Sequence, residues 1–357
     1  MPTVDLDDPA LLRRHDPGAM ADRIAELPDS IVKAWQAARD FRVPQEFRSV
    51  SSVVITGMGG SAIGGDLVRS LAEAESPIPV VVQRGYDLPA FAQSDTLVVA
   101  ISHSGGTEET LSQVDQALSR GCKLLALTSG GALLNKARSA GAAVFSFDYP
   151  SQPRAAIGYL FIPLVAFFGQ FGLLRDRSAE LDEAARVLRE LQPRLALDSP
   201  TSGNEAKQLA QAIAGRVPFI YGGGMMAEVA HRWKTQVNEN SKAWAAYDVF
   251  PELNHNAVVG YERPTTFLDQ VMVLLLETTH EHPRVAVRER VTLGLLDMSG
   301  VPVRRIPPRG EGALAQMLAA ILLGDYVSYY LAHLYQVDPT PVAAIDRLKQ
   351  ELAGAPA

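Results

Sequence analysis

The feature that most restricts the fold is a run of glycines set between a β-branched stretch and an apolar one. Ser51–Ile55 leads into Gly57-Met58-Gly59-Gly60-Ser61-Ala62-Ile63-Gly64-Gly65, the layout of a strand, a tight turn and a helix. Backbone N–H groups in such a turn, with the positive end of the following helix, attract an anion, so the turn suits a phosphate. The layout returns where Val217–Tyr221 runs into Gly222-Gly223-Gly224 and a helical stretch. Further strand-like runs stand at Ile78–Gln83, Thr96–Ile101, Lys123–Thr128 and Ala143–Phe147, with helical spacing between them. This alternation predicts parallel sheets covered by helices on both faces, built twice in one chain.

A length of 357 residues is more than one domain needs. The spacing of Ile24, Leu27, Ile31 and Trp35 predicts a helical N-terminal extension over 1–47. The first α/β domain is placed at 48–175 and a helical linker at 176–214, in which the Ser/Pro/Gly-rich Asp198–Asn204 reads as an interdomain hinge. The second domain, 215–357, has strands at Gln270–Leu276 and Val301–Ile306, a long apolar helix at Leu314–Leu334, and an amphipathic terminal helix on Val342, Ile345, Leu348 and Leu352.

Composition removes several classes. The formal charge is −7 and the basic residues are scattered, which argues against nucleic acid as a partner. The single cysteine, Cys122, excludes an intramolecular disulfide framework and a multi-cysteine zinc site, and is expected to be a buried thiol in a reducing cytoplasm. The acidic opening stretch Met1–Asp16 has no apolar core, so no secretory signal is expected. The apolar run Tyr159–Leu174 is interrupted by Pro163, Gly169, Gln170 and Gly172, short of the ~20 residues of a membrane span, and reads as a core helix. His231 has no second histidine at three or four residues, and His280 and His282 with Glu277 and Glu281 read as a polar loop, so neither metal nor cofactor is expected.

Read as GxGxxA, the glycine run also passes for a dinucleotide fingerprint, with Arg84 as partner of a 2′-phosphate. The end of the next strand favours a different ligand. Ser102-His103-Ser104-Gly105-Gly106-Thr107-Glu108-Glu109-Thr110 offers three hydroxyls within six residues, at Ser102, Ser104 and Thr107. A turn of this kind can hold the outer oxygens of a phosphomonoester, which a dinucleotide fold does not require. The plainer reading is that Thr107 and Thr110 only cap a helix.

Together, Gly57–Asp66 and Ser102–Thr110 resemble the sugar isomerase (SIS) domain, and residues 45–352 resemble the bifunctional phosphoglucose/phosphomannose isomerases. The resemblance implies an α/β protein of two SIS-type, flavodoxin-like three-layer subdomains with a helical preface and a C-terminal helix. It implies a metal-free aldose–ketose isomerase that interconverts fructose 6-phosphate with glucose 6-phosphate and mannose 6-phosphate through a cis-enediol. Gly60, Ser61, Ser102, Ser104 and Thr107 would then bind the sugar phosphate. Gly106 stands where asparagine is common in the family, and His103 where an aromatic is common.

Such an isomerisation needs a base, a ring-opening group and a cation near the enediolate oxygen. Glu239, within Asn238-Glu239-Asn240-Ser241-Lys242, is the expected base, its pKa raised by burial in a closed site. Spacing alone favours a surface carboxylate paired with Lys242, an order that the family resemblance reverses, and Glu228 is a competing carboxylate. His255 lies between two asparagines whose amides are expected to fix its tautomer. In the family the matching histidine assists ring opening and reaches into the neighbouring subunit, which implies a homodimer. Arg154 follows Pro153 at the edge of the first sheet and is expected to steady the enediolate. The family pattern also implies Lys349 in ring opening and Thr340 in leaving room for both C2 epimers.

Three other readings remain open at this stage. A non-catalytic phosphosugar-binding regulator would not need Glu239, His255 and Arg154. A glutamine-using aminosugar synthase needs an N-terminal nucleophilic cysteine, whereas Cys122 is the one thiol. A nicotinamide oxidoreductase rests on the glycine fingerprint alone.

Overall fold

The apolar positions of the N-terminal stretch turn inward and make three helices, α1 (Pro9–Arg14), α2 (Met20–Ala25) and α3 (Leu27–Asp40). Leu12, Ile24, Leu27 and Ile31 are all buried, and α3 packs against the later helices α7 (Ile157–Phe171) and α8 (Ser178–Leu195). This is a computed structural model that describes residues 4–354, so residues 1–3 of the extension and 355–357 of the second domain lie outside it.

The first sheet is parallel throughout, in the order β2-β1-β3-β4-β5: β1 (Ser52–Thr56), β2 (Val80–Gln83), β3 (Thr96–Ser102), β4 (Lys123–Thr128) and β5 (Ala143–Ser146). Val53, Val54 and Ile55 are fully buried, because helices cover both faces and every position of a central strand must be apolar. The crossovers include α4 (Gly59–Ala72), α5 (Glu108–Ser119) and α6 (Gly131–Ser139). This is the flavodoxin-like order, which reverses between β1 and β3, and ligands bind beyond the carboxyl ends of the strands at that point. The glycine turn follows β1 and the hydroxyl turn follows β3, so both predicted loops flank this switch point.

The second sheet repeats the order without a fifth strand: β7-β6-β8-β9, from β6 (Val217–Gly223), β7 (Ala246–Phe250), β8 (Val271–Leu276) and β9 (Val303–Ile306), again parallel. Strand β7 is absent from the sequence reading. It is an edge strand with Asp248 inside it and Tyr247 exposed, so only its pairing with β6 distinguishes it from a loop.

Segment 198–204, read as a hinge, is pinned. The buried Lys207 of α9 (Glu205–Ile213) donates from Nζ to the carbonyls of Leu197 at 2.9 Å and Ser199 at 2.7 Å, and the buried Asn204 caps α9.

Helix α12 (Ala313–Leu334), not the 159–174 stretch, has the length and apolarity to cross a membrane, but 94% of its apolar window is buried inside the fold. It packs on α8, α9 and α10 (Met226–Ser241). Its carboxylate, Asp325, is buried and takes hydrogen bonds from Arg232 Nη2 at 2.7 and 2.8 Å and from Gln236 at 2.7 Å. Burial pushes the Asp325 carboxyl up, and the guanidinium of Arg232 opposes that shift. Two further helices, α11 (Pro283–Met298) and the exposed α13 (Ala343–Ala353), complete the second domain.

Candidate active site

The glycine turn positions its loop by allowing close approach. A Cβ on Gly60 would lie 2.8 Å from the backbone nitrogen of Arg154, so glycine lets the 153–155 turn lie directly on the start of α4. Ser61, buried on the first turn of α4, accepts a hydrogen bond at Oγ from the backbone N–H of His103 at 3.1 Å. That bond ties the glycine turn to the hydroxyl turn.

Within the hydroxyl turn, Ser102 Oγ accepts from Gly105 N at 3.1 Å and shares a hydrogen bond with Thr107 Oγ1 at 2.8 Å. Ser104 is exposed, and its Oγ accepts from Gly106 N at 3.3 Å. Thr107 occupies the N-cap position of α5, yet its hydroxyl caps no helix N–H and turns to Ser102 instead, contrary to the plain capping reading. Thr110 is not part of a cap either, since its buried hydroxyl has no partner among the described residues. A hydroxyl donates once, so the O–H groups of Ser61 and Ser104 and one from the Ser102–Thr107 pair stay available to an anion at this turn. Arg84, the residue weighed for a 2′-phosphate, instead pairs with Asp66 of α4. His103 is buried, bonds through Nε2 to the Tyr149 carbonyl at 3.1 Å and meets Phe147 edge-on, filling the place of an aromatic. Burial pushes its pKa down, against the bond to the Tyr149 carbonyl.

Arg154 joins the glycine turn of the first sheet to α10 and the 339–340 turn. Only 2% of its surface is exposed. Nε donates to Asn240 Oδ1 at 2.7 Å, Nη1 to Glu239 Oε2 at 3.2 Å, and Nη2 to the carbonyls of Pro339 and Thr340, both at 2.8 Å. One Nη1 hydrogen is left without an acceptor among the described residues. Burial lowers the Arg154 pKa, and the neighbouring Glu239 carboxylate works against that shift.

Glu239 sits in the last turn of α10, a quarter exposed, with Arg154 as its ionic partner. Lys242 does not pair with that carboxylate. It stands at the C-cap of α10 in the left-handed region, φ 54°, and its Nζ curls back to the carbonyls of Glu239 at 2.7 Å, Asn240 at 3.3 Å and Pro339 at 3.1 Å. An ammonium suits the negative end of a helix. Glu228, the competing carboxylate, is bound to Arg69 and faces His231. With Asp66 these two could meet around one ion, but both carboxylates already hold guanidinium groups and His231 stacks on Tyr247.

Gly60, Ser61, Ser102, Ser104, Thr107, Arg154, Glu239 and Thr340 are thus linked through one set of contacts. Thr340 enters it by its carbonyl, while its hydroxyl is buried without a partner and its side chain lies over Gly18. His255 and Lys349 are not in the set. His255 is exposed on a 3-10 turn over Glu252–His255, and Lys349 is exposed on α13. The amides beside His255 do not orient it: Asn254 donates to Thr292 Oγ1 and Asn256 to Glu252. A cavity of about 810 Å³ opens beside Glu239, lined by Lys242, Trp244, Pro341, Val342 and Ile345 among others.

The sequence reading missed Asn240, Arg232 and Asp325 as parts of this site. Their signal was present: Arg232, Gln236 and Asn240 recur every four residues along α10, and Asp325 interrupts an otherwise apolar stretch of α12.

Two parallel sheets of one strand order, with a glycine turn and a hydroxyl turn at the first switch point, define a protein of the SIS-domain class. The SIS domain matches residues 46–138, and the bacterial phospho-glucose isomerase C-terminal SIS domain matches residues 202–352. The chain is 43% identical over 335 residues to the bifunctional phosphoglucose/phosphomannose isomerase of Caldicellulosiruptor bescii, covering 94% of this chain and 99% of that one. It is 35% identical over 311 residues to the bifunctional phosphoglucose/phosphomannose isomerase of Aquifex aeolicus, covering 87% and 93%. The chain belongs to the bifunctional phosphoglucose/phosphomannose isomerase family. In fold alone it is similar to the C-terminal domain of glucosamine-fructose-6-phosphate aminotransferase from Francisella tularensis, with a TM-score of 0.68 at 14% identity over 90% of this chain and 98% of that one.

Proposed function

We propose that the protein is a metal-free isomerase that interconverts fructose 6-phosphate with glucose 6-phosphate and mannose 6-phosphate. The observation that carries this reading is the position of Arg154, whose backbone lies on the phosphate-type turn at Gly60 while its guanidinium holds the Glu239 carboxylate. The free hydroxyls of the first domain take the phosphate. Glu239 removes a proton from C1 of the open ketose, the C–H electron pair becomes the C1–C2 double bond, and the C2 carbonyl becomes an enediol oxygen. The remaining Nη1 hydrogen of Arg154 stabilises charge at that oxygen. Return of the proton to C2 on one face or the other, with the O1 proton passing to O2 so that C1 becomes the aldehyde carbonyl, gives the two aldoses.

His255 and Lys349 open the ring in this reading, with His255 supplied by the second subunit of a homodimer. Supporting this are the exposure of His255, the cavity beside Glu239, and exposed apolar groups in its lining, with Trp244 85% exposed and Ile345 open on α13, where Leu348 and Leu352 are exposed as well. The one thiol, Cys122, is buried, which fits a reducing cytoplasm. Mixing Glu239→Gln and His255→Ala subunits tests the shared site. Random reassembly puts half the dimers in mixed pairs with one intact site each, so about a quarter of wild-type activity should return. No recovery would remove the shared site.

Lys242 gives the reaction a basic limit. Partial burial and the Arg154 charge push its ammonium down to about 8, against the opposing Asp338 and Glu239 carboxylates. Turnover is therefore expected to fall as pH rises through that value, because the neutral amine grips the carbonyls of α10 and Pro339 less well. Lys242→Arg should keep its activity to higher pH, since a guanidinium stays charged. Stability responds with the opposite sign. The unfolded chain keeps this proton up to its ordinary value of 10.5, so deprotonation between about 8 and 10.5 favours the folded state. Profiles of kcat against pH for both proteins, beside thermal melts, check this; superimposable profiles would contradict it.

Activity itself is tested by incubating the protein with fructose 6-phosphate in EDTA and resolving products by NMR. Both aldoses are expected. Saturable binding without conversion would make the chain a phosphosugar-binding regulator instead.

A further inference from the structure

We propose that Asn240 is a positioning residue whose carboxamide aims the Arg154 guanidinium at Glu239. The inference rests on the reading of Glu239 as the base. A guanidinium is planar, with its five N–H groups in one fork, so fixing the direction of Nε–H fixes both Nη groups as well. Asn240 Oδ1 is the acceptor on Nε, at 2.7 Å. Nη1 is thereby turned to Glu239, and Nη2 to the 339–340 turn.

The carboxamide is itself held in one orientation. Asn240 is fully buried, and its Nδ2 donates to Ser328 Oγ at 3.0 Å. The Ser328 hydroxyl spends its own hydrogen on the Asp325 carbonyl, at 2.9 Å, and so can only accept from Asn240. A flipped amide would set its NH₂ against Arg154 Nε–H, donor against donor. The backbone of Arg154 is fixed from the same layer, because its carbonyl accepts from Arg232 Nη2 at 3.0 Å, and Arg232 is paired with Asp325. Support therefore runs from α12 through Asn240 and Arg232 to Arg154, and from Arg154 to Glu239.

Charge explains why an amide stands there. Asp325 is balanced by Arg232, which leaves Glu239 as the carboxylate on Arg154. A carboxylate at 240 would meet the same guanidinium from its buried side and draw its charge away from the cleft.

The test pairs two substitutions with Glu239→Gln. Asn240→Asp keeps the shape. With half of the guanidinium charge diverted, the acid limb of the kcat profile should move up by about one pH unit, while KM for fructose 6-phosphate stays within about twofold because the phosphate is held by first-domain hydroxyls. Asn240→Ala frees the guanidinium to turn and should lower kcat on the order of ten- to a hundredfold at a similar KM. Melting temperatures establish that both variants are folded; should Asn240→Ala fail to fold, the pH profile of Asn240→Asp decides. An unmoved acid limb, together with wild-type kcat in every variant that folds, would overturn the inference while leaving Glu239 as the base if Glu239→Gln is inactive. Turnover retained by Glu239→Gln would instead overturn the reading on which the inference stands.

Discussion

Glu239→Gln protein is expected to bind fructose 6-phosphate about as tightly as wild type and to isomerise it ~10²–10⁴-fold more slowly, the usual contribution of a positioned general base. Binding is expected to survive because the hydroxyls proposed to hold the phosphate, those of Ser61, Ser104 and the Ser102–Thr107 pair, lie on the turns of the first sheet and not on α10. The fold survives because a glutamine oxygen still accepts from Arg154 Nη1. Steady-state kinetics beside a calorimetric titration with fructose 6-phosphate check both halves. If affinity fell as far as turnover, Glu239 would be holding substrate and not moving its proton.

The second large effect is at Arg154. Arg154→Ala leaves the Glu239 carboxylate, the Asn240 amide oxygen and the Thr340 carbonyl without their donor in one step, and leaves the Pro339 carbonyl to Lys242 alone. Removing one partner of a buried ion pair typically costs ~3–5 kcal/mol, and urea unfolding should show a loss of that order. Turnover should fall at least ~10²-fold as well, because Glu239 loses its orientation and the enediolate its cation. Arg154→Lys is expected to restore little. Its ammonium has three donors on one atom, and cannot reach acceptors spread over the Asn240, Glu239 and Pro339–Thr340 sides of a planar fork. A lysine variant with near-normal activity would show that charge alone, not the shape of the guanidinium, is used at this position.

The parts legible in the sequence are those whose cause is local. The Gly57–Gly60 turn and the Ser102–Thr107 hydroxyls each occupy a few consecutive residues after a buried strand, and both fall at the carboxyl ends of β1 and β3. The internal repeat also reads through, because both sheets place a glycine turn after the strand beside the switch point. What depends on long-range pairing does not read through. Strand β7 is defined only by its register with β6. The partners of the Arg154 side chain lie 85 to 186 residues away, so neither its contact with Glu239 nor its hold on the 339–340 turn follows from spacing. Lys242 shows the same limit. At three residues from Glu239 it satisfies the rule for a helix ion pair, but its left-handed backbone sends the ammonium to carbonyls. Segment 198–204 has the composition of a hinge and is fixed by Lys207, a buried charge that composition does not reveal.

The measurement that tests the account most directly is conversion of fructose 6-phosphate in deuterated water with EDTA present, followed by NMR of both aldoses. A proton carried on Glu239 between C1 and C2 exchanges with solvent during its residence there, so deuterium is expected at C2 of the glucose 6-phosphate and mannose 6-phosphate formed, with both products forming ~10²–10⁴-fold more slowly in the Glu239→Gln protein. Aldoses that form at the wild-type rate with no solvent deuterium at C2 would point to direct hydride transfer, and would contradict the assignment of Glu239 as the base.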